Sequence, residues 1–174
     1  MRKLILAAAA SVMMAGCSTL GMAPAGMAGD MTPEDRMSYM RMAASSDMYE
    51  IQSSQLAQSR ARNPQMQSFA QMMIRDHTMT SQQLMAAAQA AGMATPPPMM
   101  MPMHADLVAR LQARTGADFD REYARQQRMA HEMALALHSN YAARGDTPAL
   151  RSVAAAATPV VRQHLEMVRQ WPRV

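Results

Sequence analysis

The sequence predicts an all-α fold: four long amphipathic helices packed as a bundle, with a long crossover between the second and the third. Three observations carry this expectation. Apolar residues recur at i, i+3, i+4 and i+7 along four long stretches, the period of one helix face. Start and stop signals, chiefly proline and glycine, fall between those stretches. Strand signals are missing, with no apolar–polar alternation and no hairpin turn.

The chain opens on a segment unlike the rest. Arg2 and Lys3 precede an apolar, small-residue run from Leu4 to Ala15. That is the pattern of a bacterial export signal over residues 1–16. The run is shorter than the ~20 apolar residues of a permanent membrane span. It ends Met14-Ala15-Gly16-Cys17, which resembles the lipobox of bacterial lipoproteins, although leucine is commoner where Met14 stands. In that motif the cysteine becomes the lipidated first residue of the mature protein, and its acyl chains tether the domain to a membrane. Cys17 is the one cysteine in the chain, so disulfides play no part in stability. Ser18 follows where an aspartate would imply inner-membrane retention, so the lipobox resemblance implies an outer-membrane lipoprotein facing the periplasm. Residues 17–33 are rich in Gly, Ala, Pro and Met without a period and read as a flexible tether. The helical domain is expected over 34–172.

The first helix is expected from Thr32-Pro33-Glu34-Asp35. Thr32 caps, Pro33 takes the first position and Asp35 completes a capping box. It runs to about Arg62, with Met40, Ala43, Ala44, Asp47, Ile51, Ser54 and Ala57 inward and Glu50 beside them. Asn63 and Pro64 open the second helix, which Gly92 stops after Ala91. Its inward face is Met66, Phe69, Ala70, Met73, Leu84, Ala87, Ala88 and Ala91, with Thr80 and, at the midpoint, His77. Residues 93–117 form the crossover: a stiff Pro96-Pro97-Pro98, a methionine-rich run, and a short helix over Ala105–Arg114. Thr115–Asp118 restarts the chain. The third helix covers Phe119–Arg144, with Phe119, Tyr123, Gln126, Ala130, Met133, Ala134, Leu137 and Tyr141 inward and His131 flanking. Gly145 ends it, Asp146 or Thr147 caps the next, and Pro148 opens a fourth helix to Trp171. That helix turns Leu150, Val153, Ala157, Val160, Met167 and Trp171 inward, with His164 in register; Pro159 should kink it. Four such helices with one long link make a ferritin-like four-helix bundle.

Composition excludes several functions. Without residues 1–16 the chain holds 15 basic against 13 acidic residues and no lysine, too balanced for a nucleic-acid footprint. Nucleic acid is therefore not an expected partner, and no protein partner is legible. No phosphate loop, Ser-x-x-Lys or Gly-x-Ser-x-Gly occurs. No enzyme is expected. The core must be built from methionine and alanine, since the chain has 23 Met but only two Phe, four Tyr and one Trp. Such a core is plastic.

The chemistry lies in the middle of the helices. Glu50 stands 13 residues before Asn63 and His77 stands 14 after it. At ~1.5 Å per residue the two are level. His131 stands 14 before Gly145 and His164 stands 19 after it, an offset of several ångströms on the same rise. One carboxylate and three imidazoles, one from each helix, are thus candidates for a transition-metal site of zinc, copper or iron. Asp76, Glu132 and Glu166 adjoin the histidines as candidate supporting acceptors, although side chains at i and i+1 diverge by about a quarter turn or more, which argues against direct support from Asp76 to His77. The competing reading is a metal-free polar network that sets helix register. A di-iron carboxylate site needs paired Glu-x-x-His motifs, and none occurs. A second candidate is Met99, Met100, Met101, Met103 and His104, whose thioethers and imidazole suit a soft ion such as Cu(I); the general abundance of methionine also accounts for that run.

Glu50-Ile51, Leu56-Ala57, Phe69-Ala70, Met73 and Asp76-His77 together resemble a family of exported bacterial ferritin-like proteins. Phe119-Asp120, Tyr123, His131 and Thr158-Pro159 with His164 extend the resemblance to about Met37–Trp171. The family is domain of unknown function 4142, often described as predicted outer-membrane proteins. The resemblance implies the ferritin-like fold and an envelope location, and no activity. Two functions are carried forward: an envelope lipoprotein that binds a transition metal, and a metal-free structural or stress-related interaction protein.

Overall fold

The structure is a computed structural model and describes residues 33–95, 97 and 99–171. The expected export signal, Cys17, almost all of the tether and Thr32 lie outside the described residues. The described chain is all-helical, with five helices and no strand: α1 (Arg36–Arg60), α2 (Pro64–Ala90), α3 (Pro102–Gln112), α4 (Gly116–Arg144) and α5 (Pro148–Arg169).

Local chemistry sets the helix ends. Asp35 caps α1, its Oδ1 accepting the Ser38 N–H at 2.8 Å. The cap is thus Asp35 and the helix starts at Arg36, a few residues later than the capping-box reading of Thr32 placed it. Asn63 Oδ1 accepts the Gln65 N–H at 2.9 Å, and Pro64 occupies the first position of α2, as expected. Gly92, with φ of 67°, turns the chain left-handed so that the Met93 N–H reaches the Ala88 carbonyl at 3.0 Å; an L side chain resists that conformation. Pro102 opens α3 earlier than the expected Ala105.

The helices pack as a ring. α1 lies against α2 and α4, and α5 lies against α2 and α4. Two contacts orient α1 and α4. The Glu34 carbonyl accepts the Asp146 N–H at 3.0 Å, while the Arg62 N–H donates to Asp120 Oδ1 at 3.1 Å. The start of α1 therefore meets the end of α4, and the two run antiparallel. α3 follows the outside of α1 in the same direction. The Met101 N–H donates to Ser45 Oγ at 2.7 Å, and Arg60 donates to the Gln112 carbonyl at 3.0 Å. In this way α3 returns the chain from the end of α2 to the start of α4.

Two apolar clusters fill the interior, one toward each end. Phe69, Met73, Phe119, Tyr123, Leu165 and Trp171 anchor the first. Tyr39, Leu84, Leu137, Tyr141 and Leu150 anchor the second. A third, smaller cluster of Tyr49, Leu107, Val108 and Ala130 seats α3. Between the two end clusters the interior is polar: Asp47, Glu50, Ser53, Ser54, His77, Gln126, Gln127, His131 and His164 are all buried.

Some inward assignments shift. Ala44 and Ile51 are only half-buried, whereas Tyr39, Ser45, Ser46, Tyr49 and Ser53 are buried instead. On α5 Leu150, Ala157 and His164 are buried as expected, joined by Ala154, Val161, Leu165 and Val168 in place of Val153, Val160 and Met167. The runs Val153-Ala154 and Val160-Val161 offer two adjacent apolar stripes, so hydropathy alone does not choose between them. α5 continues through Pro159, which lies on the solvent side where the carbonyl it leaves unpaired can meet water.

Gly145 is required for space. A Cβ there would stand 2.5 Å from the Tyr141 ring, and that ring stacks on Tyr39 at 3.8 Å between centroids. Gly145→Ala is expected to lose about 1–3 kcal/mol, the usual cost of overpacking, read as a lowered denaturation midpoint with an unchanged slope.

Candidate metal centre

The three interior histidines come from three helices: His77 from α2, His131 from α4 and His164 from α5. All three are buried, and one ligating atom from each lies within 4.8 Å of the others. Their ring centroids stand 5.5 to 6.0 Å apart.

Each ring is anchored on one side. His77 Nδ1 meets Asp47 Oδ1 at 2.8 Å. Asp47 also takes the Thr80 and Ser81 hydroxyls, each at 3.0 Å. His131 Nδ1 meets the Gln127 carbonyl one turn earlier at 2.8 Å. His164 Nε2 meets Asp76 Oδ2 at 3.1 Å, and Arg75 Nε holds the other Asp76 oxygen at 2.9 Å. All three partners are pure acceptors, so each anchored nitrogen carries the proton and donates. The opposite nitrogens, His77 Nε2, His131 Nε2 and His164 Nδ1, are buried without a hydrogen-bond partner. In the neutral rings these nitrogens carry lone pairs, and no donor meets them.

That is the arrangement of metal-ligating imidazoles, in which an acceptor on the far nitrogen fixes tautomer and orientation. It is an expensive arrangement without a cation, since each orphaned buried polar atom costs about 1–3 kcal/mol. Zinc–nitrogen bonds of 2.0–2.1 Å in a tetrahedral site imply nitrogens about 3.3 Å apart. Ligating atoms up to 4.8 Å apart would have to close by up to about 1.5 Å to meet that spacing.

Glu50 sits beside the cluster rather than in it. Its Oε2 accepts from Gln127 Nε2 at 2.8 Å, and its Oε1 is orphaned. That oxygen lies 3.7 Å from His131 Nδ1, the nitrogen already given to Gln127. Of the expected set of four, the three imidazoles stand together, with a buried carboxyl behind one of them. The supporting acceptors also differ from the sequence neighbours. Asp76 serves His164 across the helix interface rather than His77 next to it, because adjacent residues diverge around a helix. Glu132 and Glu166 point to solvent, with Glu132 paired to Arg169. Asp47, on the expected inward face of α1, is the anchor that sequence adjacency missed; its place one turn from Glu50 was the available signal.

The methionine-rich run does not act as one unit. Met99 is 76% exposed and lines a groove of about 410 Å³ with Met37, Met40 and Met85. Met100 packs on the cluster that seats α3. Met101 caps α3 through its backbone, and Met103 and His104 lie on α3, facing α1 and α4. His138, unremarked in the sequence, is buried with Nδ1 3.1 Å from the Tyr39 hydroxyl.

Residues 21–171 match the family described as Domain of unknown function (DUF4142). The chain belongs to that family. No curated protein matches this DUF4142 chain in sequence. Among solved structures it is similar to CopM in the Cu(II)-bound form, with 22% identity, a TM-score of 0.66, and coverage of 79% of this chain and 95% of that one. CopM in the Cu(I)-bound form gives 22% identity and a TM-score of 0.63 over 77% and 92%. A DUF305 fragment from Deinococcus radiodurans gives 15% identity and a TM-score of 0.65 over 76% and 91%. At these identities the likeness is one of fold.

Burial sets the protonation of the DUF4142 site. Desolvation pushes His131 down to about 3 and His164 down to about 4, helped in both by the charge of His77. Burial also lowers His104 and His138 to about 4. His77 is raised instead, because the Asp47 bond and the charges of Asp47, Glu50 and Asp76 outweigh desolvation. Burial pushes Glu50 up to about 7, only partly offset by His77 and Gln127. As pH falls below the ordinary imidazole value of 6.5, the unfolded chain binds protons that the four depressed histidines refuse until about 3 to 4, so stability is lost. Glu50 acts oppositely: its contribution is full below 4.5 and lost as pH rises through about 7. The contribution of His77 is likewise full below 6.5 and lost as pH rises through its raised value. Between pH 4.5 and 6.5 the contribution of His77 is already full, so the four depressed histidines are opposed by Glu50 alone and outweigh it. Chelator-treated protein is expected to melt at a higher temperature at pH 6.5 than at pH 4.5, and thermal melts at fixed ionic strength check this.

Proposed function

We propose that this chain is a metal-binding module of the cell envelope that holds one transition-metal ion between His77, His131 and His164, without catalysing a reaction. The observation that carries the reading is the group of three buried imidazoles with ligating atoms within 4.8 Å of one another, each ring having one buried nitrogen unpartnered and the other held by an acceptor. Glu50 lies close enough to offset part of the ion's charge. Zinc, copper and iron all accept imidazole. Copper is favoured, because the fold is similar to CopM in its Cu(II)- and Cu(I)-bound forms. The sealed position of the three rings suits holding an ion rather than turning over a substrate. The ring of long helices with α3 in the connection supports the ferritin-like reading. The lipobox resemblance supports anchoring through Cys17, on the outer membrane and facing the periplasm. Among the described residues no helix is long and apolar enough to cross a membrane.

The competing reading is a metal-free interaction protein. The saturated Asp47, which takes donors from His77, Thr80 and Ser81, favours it. That reading leaves the three orphaned nitrogens without an account.

Protein purified without chelator or affinity tag is expected to carry one equivalent of metal, and His77→Ala with His164→Ala to carry none. Metal-free protein whose melting temperature ignores added zinc, copper and iron would overturn the proposal. Asp47→Asn is expected to weaken metal binding about tenfold through the loss of ligand support, measured by chelator competition. Cys17→Ser is expected to move the domain from the membrane fraction to the soluble envelope fraction; unchanged membrane association places the anchor elsewhere.

A further inference from the structure

A second cluster of ligating side chains lies outside the three-histidine centre, where α3 crosses α1 and α4. Met42 from α1, Met103 and His104 from α3, and Met133 from α4 line one small cavity together with Ser46, Ala130, Ala134 and Leu137. Its free volume is about 10 Å³, room for a single water-sized or ion-sized occupant. The imidazole is built into the wall. His104 is 96% buried by its 4% exposure, stacks on Tyr49 at 5.6 Å, and bonds through Nδ1 to Ser45 Oγ at 2.6 Å. Ser45 is itself held by the Met101 N–H at 2.7 Å. Among the described residues nothing hydrogen-bonds His104 Nε2. The Ser45 hydroxyl, which already accepts the Met101 N–H, has His104 Nδ1 as its acceptor in the absence of an ion; the tautomer that donates from Nδ1 instead frees the Nε2 lone pair for an ion. The remaining lining is apolar apart from Ser46, so the ligating groups on offer are thioether sulfur and one imidazole nitrogen.

We propose that Met42, Met103, His104 and Met133 form a separate site for a soft monovalent cation of the Cu(I) or Ag(I) class. Thioether donors select soft ions over the borderline divalent ions that three imidazoles suit. Methionine is flexible enough to close on an ion without moving the backbone. The site uses no residue of the three-histidine centre, so it stands whether or not that centre binds metal. It also replaces a linear binding loop over Met99–His104 with a constellation drawn from three helices.

The test uses the purified chain labelled with 13C in the methionine methyl groups, first exposed to Zn(II) to fill the three-histidine centre. One equivalent of Ag(I) is expected to shift the methyl signals of Met42, Met103 and Met133, assigned from single Met→Leu variants, and to leave Met37, Met40, Met85 and Met99 in place. Leucine nearly conserves volume, so these variants should fold. Met42→Leu with Met103→Leu and Met133→Leu is expected to lose at least tenfold in Cu(I) affinity against a Cu(I)-specific chelator, with Zn(II) uptake unchanged. Wild-type Cu(I) affinity in the triple variant, or Ag(I) shifts confined to other methionines, would overturn the proposal. Failure of Zn(II) to bind would count against the three-histidine centre alone.

Discussion

Desolvation of ionisable groups in mid-core is the constraint on which the rest of this structure depends. Two apolar clusters close the ends of the helix ring, and the layer between them holds two carboxyls and three imidazoles with almost no access to water. Charges do not survive such burial singly. The chain answers by pairing His77 with Asp47, by keeping His131 and His164 neutral, and by raising the Glu50 carboxyl toward protonation. Serines fill the remaining space on α1. Ser54 meets the Tyr123 hydroxyl at 2.9 Å, and Ser53 accepts from Gln127 at 3.2 Å.

Most of the helical framework was legible because its punctuation is local. Asn63-Pro64, Gly92 and Gly145 through Pro148 each act through backbone geometry that needs no tertiary context. α1 was harder. Its inner face is serine, aspartate and glutamate as much as alanine, so hydropathy scarcely marks it, and Ile51 drew attention while Tyr49 and Ser53 went inside. The choice between two stripes on α5 was equally invisible, since adjacent valines and alanines serve either.

The ligating layer was partly legible for a related reason. Residue counting placed His77 opposite Glu50 but left His131 and His164 several ångströms apart. Helix side chains lean toward their own N-termini. In an antiparallel pair His131 leans away from the Gly145 turn and His164 leans toward it, which closes an offset measured between backbones. The anchors could not be counted at all. Which carboxylate serves which imidazole depends on packing between helices: the divergence of neighbours argued against Asp76 for His77, but nothing local pointed to Asp47 for His77 or Asp76 for His164. The methionine run shows the same limit: Met99 and Met103 are four residues apart in sequence yet line different cavities, because α3 begins between them.

The three anchors differ in one respect. Asp47 is sealed, with 7% of its side chain exposed, and the Gln127 carbonyl lies on a buried residue. Asp76 has 19% of its side chain exposed and shares its charge with Arg75. Water therefore reaches the carboxylate that anchors His164, while the anchors of His77 and His131 are closed to it. If an ion sits between the rings as proposed, the Asp76 side is the one from which solvent can first reach its ligands.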